Sequence, residues 1–204
     1  MPLEVASLCR LCGLSGVVVA YAMFRKFTKE DNIKTSSPVR SSEQRQIRAQ
    51  IVQQYPALEP HIEDLFPKKE SLIVCKCKDY IQVLMNPEGE FIFFQCRSGP
   101  FIPTLRLLHH YPDILPKFCV DRGAIRFVLS GANIMAPGLT SAGGSMDPVP
   151  GEAVVGIFAE GKEHALAIGI TTMSSEKIAS DNKGIAVENT HWLNDGLWTL
   201  RALE

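Results

Sequence analysis

The sequence predicts an α+β chain in two parts, a mixed α/β domain followed by a small β-barrel. Three observations carry that expectation. Apolar residues at helical spacing (Ile47, Ile51, Val52, Tyr55) stand beside runs rich in branched and aromatic residues (Leu72–Lys76, Tyr80–Met85, Phe91–Gln95). From Ala153 onward short strand-like runs recur between turn signals, the pattern of a small barrel. Pro112 and Pro116 separate the two regimes.

Composition fits this. The 204 residues are 46% hydrophobic and 21% charged, which excludes a disordered, collagenous or fibrous chain. The net charge of −1 excludes a strongly basic protein that coats nucleic acid. It hides an asymmetry: residues 23–120 carry 14 Lys and Arg against 11 Asp and Glu, whereas residues 121–204 carry 6 against 10. Two halves of opposite sign suit two domains with different partners. The six cysteines are irregularly spaced in a chain long enough for a full core, so they read as free thiols in a reducing, cytoplasmic setting.

Residues 1–22 are expected to be a leader outside the folded body, with the body starting at Met23. The uncharged stretch Leu11–Phe24 is too short to span a membrane, although it has the length of a signal-peptide core and Ala20-Tyr21-Ala22 fits a cleavage pattern. Cys9-x-x-Cys12 is at most half of a zinc site. In the body, Ser36-Ser37-Pro38 breaks any early helix, and Ser41-x-x-Gln44 reads as a capping box opening a helix that Pro56 stops. A short helix follows over Glu59–Phe66, and then the three strands named above, with a turn at Asn86-Pro87-Glu88-Gly89. Pro103 is placed as the first residue of a helix running to Tyr111.

In the second half, Asp121 caps a short helix closed by Gly131, and Asn133–Ala136 is a strand ended by Pro137-Gly138. Strands are expected over Ala153–Ala159, His164–Met173 and Ile185–His191, with Ser174 capping a helix to Ser180. Asn194-Asp195-Gly196 reads as a hairpin turn leading into a last strand, Leu197–Leu200.

The residues offer little for catalysis. There is no phosphate loop, no H-E-x-x-H, and no nucleophile elbow around Ser130. Cys75-x-Cys77 alternates along a strand, which places both thiols on one buried face. His109-His110 sits on adjacent helix faces and cannot clamp one metal. The stretch Gly131-Ala132-Asn133 is different. A glycine that permits a left-handed turn, a small side chain and an amide make either a shallow ledge of backbone donors suited to phosphates and single-stranded ends, or a helix-to-strand corner that exists for packing.

Gly123-Ala124 and Leu129-Ser130-Gly131-Ala132-Asn133-Ile134-Met135-Ala136-Pro137-Gly138 resemble the signature of the PUA domain. Met23–Phe27, Phe66–Lys69, Gly99–His109, Ala159–Leu166 and His191–Trp198 are similar to the malignant T-cell-amplified sequence family, from Met23 to the C-terminus. Residues 1–22 lie outside that pattern, and the loop Gly143–Pro150 looks looser than the family's. The resemblance implies a pre-PUA domain at 23–116 and a PUA domain at 117–204. It implies a non-catalytic translation factor without a cofactor or bound metal. Such a factor pairs with the density-regulated re-initiation protein and binds the small ribosomal subunit. It acts in re-initiation and in removing deacylated tRNA during recycling. A stand-alone RNA-binding module and an accessory to an RNA-modifying enzyme are the alternatives. The resemblance implies that Gly131, Ala132, Asn133, Pro137, Gly138 and Lys162 face the tRNA acceptor end. Arg25, Lys26, Lys68 and Lys69 are candidates for rRNA backbone contacts, and Phe127, just off the apolar stripe of its helix, for the protein partner.

Overall fold

The computed structural model describes residues 24–67 and 70–200. The expected leader, Cys9-x-x-Cys12, Lys68 and Lys69 lie outside the described residues.

Thr28 caps a single helical turn, α1 (Lys29–Asn32), and the chain passes directly into β1 (Ile33–Pro38). The sequence reading missed this strand because its residues are polar and exposed, with no alternation to betray it. Helix α2 (Ser41–Gln54) forms where expected, but the capping box does not. Gln44 is buried instead. Its Nε2 donates to the carbonyls of Pro67 and Glu70, and its Oε1 accepts from Leu72 N. A 3₁₀ stretch, Pro56–His61, leads into α3 (Ile62–Leu65).

Strands β2 (Ile73–Cys77), β3 (Ile81–Met85), β4 (Phe91–Cys96) and β5 (Phe101–Pro103) complete an antiparallel sheet in the order β1-β2-β3-β4-β5. Both faces of its centre are covered. On one face Phe93 stacks against Tyr55 and Phe66 from the helical layer, and the Tyr55 hydroxyl donates to the Phe101 carbonyl. Cys75 and Cys77 share the other face and are buried, as their alternation predicts. Pro103 ends β5 and does not begin the following helix. Thr104 caps α4 (Leu105–His110), and its hydroxyl also donates to the Phe91 carbonyl at 2.9 Å.

The second domain is a curled six-stranded sheet in the order β7-β11-β10-β9-β6-β8. Its strands are β6 (Lys117–Val120), β7 (Ile134–Met135), β8 (Ser145–Met146), β9 (Val154–Ala159), β10 (Ala167–Thr171) and β11 (Ile185–Trp192). All pairs are antiparallel except β6 with β9. Helices α5 (Ile125–Leu129), α6 (Ala136–Thr140), α7 (Ser175–Asp181) and α8 (Gly196–Thr199) cover it. Phe118, Val128, Leu139, Ile157, Val187 and Trp192 fill the core. Ser174 caps α7 as expected.

Two local expectations fail here. Pro137 and Gly138 do not end a strand but open α6, where proline suits a first turn. Asn194-Asp195-Gly196 is not a hairpin, and Leu197–Leu200 is not a strand. Asp195 is the N-cap of α8, its carboxylate accepting from Trp198 N at 2.8 Å, and also from Trp192 N and the buried His191 Nδ1. Solvent does not reach this carboxylate, so three donors take the place of water.

The two sheets meet across a shared core. Phe24 is fully buried and packs edge-on against Phe27, Phe94 and His191. Phe158, Ala165, Ile168 and Leu197 of the second domain belong to the same apolar cluster as the first domain's sheet. Gly196 N donates to the Phe24 carbonyl at 2.6 Å, and a Cβ on Gly196 would lie 2.4 Å from Phe27 N, so only glycine allows this approach. Beside it, the Arg106 guanidinium lies 4.4 Å from the Trp198 ring, and His109 Nε2 meets the Ala165 carbonyl at 2.9 Å.

Candidate nucleic-acid interface

The turn before α5 is built by Asp121. Its carboxylate accepts from Ala124 N and from the Ser141 hydroxyl, each at 2.8 Å. Those bonds, the Ser141 one foremost, hold its carboxyl below the usual range. The turn aims α5 across the end of β7 and β11. At the far end of α5, Gly131 takes φ +82° and lies flat against Trp192. Ala132 N then returns to the Phe127 carbonyl at 3.0 Å.

The corner is stapled from below by two asparagines. Asn133 Oδ1 accepts from Asn189 N at 3.1 Å, and Asn189 Nδ2 donates to the carbonyls of Val128 and Ala132 at the same distance. Asn189 is almost wholly buried, so this staple ties α5 and β7 to β11 inside the core. Asn133 Nδ2 is buried with no hydrogen-bond partner among the described residues.

Above the staple lies an open cleft of about 710 Å³, its lining including Asp121, Arg126, Phe127, Ala132, Asn133 and Met135. Phe127, Met135 and Ile185 are exposed at 52%, 48% and 37%, three of the four large apolar side chains left open among the described residues. Met135 and Ile185 are cross-strand neighbours, so they form one patch. The Arg126 guanidinium lies 4.7 Å from the Phe127 ring. The cleft thus combines an apolar lining with a cation held on an aromatic face. Such a site suits a flat, partly anionic group, for example a nucleobase with its phosphate.

The structure sorts the expected residues. Ala132, Asn133 and Gly138 line the cleft, and Phe127 shares it. Gly131 lies behind it, where a Cβ would be 2.5 Å from Trp192 Cζ2. Pro137 is exposed at the start of α6, outside the lining, and Lys162 is exposed in the turn between β9 and β10. That turn is joined to the rim by the Arg122–Glu160 ion pair at 3.5 Å. Arg25 and Lys26 are exposed between the buried Phe24 and Phe27. Lys68 and Lys69 lie outside the described residues; the carbonyls of Pro67 and Glu70 both accept from Gln44. Sequence reasoning missed Arg126, Met135 and Ile185 as site residues. For Met135 a signal existed: alternation around the buried Ile134 points it outward. Among the described residues no group of three His, Cys, Asp or Glu could hold a metal ion, and no helix is long and apolar enough to cross a membrane.

A Pre-PUA-like domain matches residues 27–112 and a PUA domain residues 116–193. The fold and the cleft therefore belong to a pre-PUA–PUA protein. A hypothetical protein of Pyrococcus horikoshii shares the fold with a TM-score of 0.67 at 24% identity, over 82% of this chain and 100% of that one. The "malignant T-cell-amplified sequence 1 homolog" of Drosophila melanogaster is 52% identical over 86% of this chain and 97% of its own length. "Malignant T-cell-amplified sequence 2" of Homo sapiens is 47% identical over 88% and 98%. "Translation machinery-associated protein 20" of Schizosaccharomyces pombe is 49% identical over 86% and 97%. The chain belongs to the malignant T-cell-amplified sequence family.

Proposed function

We propose that this chain is a non-catalytic, RNA-binding translation factor of the cytoplasm that works on the small ribosomal subunit together with the density-regulated re-initiation protein, promoting re-initiation and the removal of deacylated tRNA. The name of the fission-yeast relative, translation machinery-associated, and the PUA domain support the general reading. The observation that carries it is the cleft beneath Arg126, which holds an aromatic–cation pair but no free nucleophile: its one carboxylate, Asp121, is engaged in capping a turn.

In this reading the ledge side of the cleft, Ala132, Asn133 and Gly138, takes the acceptor end of tRNA, with Lys162 meeting a flanking phosphate. The apolar side, Phe127 with Met135 and Ile185, anchors the partner protein. Arg25, Lys26, Lys68 and Lys69 meet rRNA phosphates through contacts that weaken with salt. Ala132→Asp puts a carboxylate against a polyanion, and Lys162→Ala removes a cation from a domain that has few. Both lower tRNA release in a reconstituted assay without unfolding the chain, and unchanged release by both variants defeats the assignment. Phe127→Asp abolishes co-purification of the partner while the circular dichroism spectrum is kept. Co-sedimentation with small subunits, with and without the partner, separates this reading from a stand-alone RNA-binding module: a chain that binds RNA but never the subunit is the latter.

A further inference from the structure

Tyr80 is the most exposed large hydrophobic side chain among the described residues, at 76%. It sits at the end of the first sheet, far along the chain from the cleft, in the turn joining β2 to β3. Ile81 N closes that turn onto the Lys78 carbonyl, and both central residues, Asp79 (φ 57°) and Tyr80 (φ 60°), are left-handed. A turn of this kind favours Asn-Gly, because a bulky side chain in the left-handed region is strained. Tyr80 accepts that strain and buries almost nothing in return, so the fold does not explain it. Strain held at an exposed position without packing gain points outward, to function.

The neighbouring turn supports the same corner. Arg97 is also left-handed, at φ 53°. Its backbone N donates to the Tyr80 carbonyl at 2.8 Å, and its guanidinium lies 5.5 Å from the Tyr80 ring centre. Three left-handed residues other than glycine thus hold a phenol and a guanidinium side by side at the end of the sheet. Lys76, Gln82 and Gln95 lie in register across β2, β3 and β4, a row with a cation at one end, the Gln82 amide in its middle and the Gln95 amide donating to the Gly99 carbonyl at 2.7 Å. Lys76, Lys78 and Arg97 stand here with Asp79, and α1, which enters β1 opposite Cys77, brings Lys29, Glu30 and Asp31 to the same end of the sheet.

We propose that this corner is a second RNA contact, in which an unpaired base stacks on the open face of the Tyr80 ring while Arg97 and the row behind it hold the flanking phosphates. Aromatic stacking beside a cationic track is how single strands are held without sequence preference. The surroundings favour RNA over a protein ligand, because a protein hot spot is normally ringed by apolar side chains, and the Tyr80 ring lies beside the Arg97 guanidinium. The inference rests on the RNA-binding class of the chain but not on the assignment of the PUA cleft.

The test uses the full chain and a short oligoadenylate carrying one 2-aminopurine. Tyr80→Gly relieves the turn, so Tm rises, while quenching of the 2-aminopurine is lost and affinity falls on the order of tenfold. Tyr80→Phe keeps the quenching, and Arg97→Ala weakens binding most at low salt. A gain of stability with a loss of stacking is an outcome that a purely structural tyrosine cannot give. Quenching and affinity that stay at wild-type levels in Tyr80→Gly overturn the proposal. So does a wild-type chain that fails to bind the oligonucleotide at low salt. Loss of the signal in Ala132→Asp in place of Tyr80→Gly assigns the oligonucleotide to the cleft, overturning this proposal and leaving the reading of the PUA site intact. A Tyr80→Gly chain that keeps the oligonucleotide but loses the partner protein makes the corner a protein contact and also overturns it.

Discussion

Replacing Gly131 with alanine puts a methyl group where the benzo ring of Trp192 already lies. The added Cβ would stand 2.5, 2.8 and 2.9 Å from Cζ2, Cη2 and Cε2 of that ring, well inside contact distance, and Trp192 is itself only 3% exposed and cannot swing into solvent. The backbone adds to the cost, since φ +82° is left-handed. A non-glycine residue there loses roughly 1–2 kcal/mol, and forcing extra volume into a packed core costs roughly 1–3 kcal/mol more. Gly131→Ala is therefore expected to destabilise by about 2–5 kcal/mol, seen as a lower urea midpoint at an unchanged slope. Trp192→Phe removes the clashing atoms, so the double variant should lose less than the two single variants added together, with a coupling on the order of 1–3 kcal/mol. A Gly131→Ala chain within about 0.5 kcal/mol of wild type, the range of an ordinary surface substitution, would refute the reasoning and restore Gly131 to the binding ledge.

Other outcomes follow from the same packing. Burial is the main cause that holds His109 below its ordinary value of 6.5, aided by nearby His164, His110 and Arg106 and opposed by the Ala165 carbonyl. The folded state thus binds fewer protons than the unfolded state in the window below pH 6.5, and stability falls as pH drops through it. Urea titrations at pH 7.5 and 5.5 should show a smaller acid loss in His109→Gln, and equal losses in both chains would exclude His109 as the source. Gln44→Ala leaves the Glu70 carbonyl and the Leu72 amide without their partner and takes one of two donors from the Pro67 carbonyl, at a cost of about 1–3 kcal/mol in denaturant. If those bonds position Lys68 and Lys69, small-subunit affinity falls in the same variant, and an affinity equal to wild type discards that role.

Much of the architecture was legible because alternation and turn chemistry are local. β2, β3 and β4 show it, and so does α7 with its Ser174 cap. What escaped depended on distant residues. Asp195 looks like a turn residue until His191 and Trp192 are brought beside it, and then it is a buried cap. Gln44 looks like half of a capping box until Pro67 and Leu72 are brought beside it. The cleft divides in the same way. Ala132 and Asn133 stand next to each other in the chain and could be chosen from it, whereas Met135 and Ile185 meet only because β7 pairs with β11. Gly131 was open to two readings, ledge or packing corner, and the Trp192 ring beneath it favours packing.

The aromatic seam around Phe24 is expected to make the two domains melt as one unit. An isolated second domain would bare Phe158, Ile168 and Leu197, which the first sheet otherwise covers, and an isolated first domain would bare Phe94. Neither half is a portable module. The surfaces of the two domains are tied to each other through this seam.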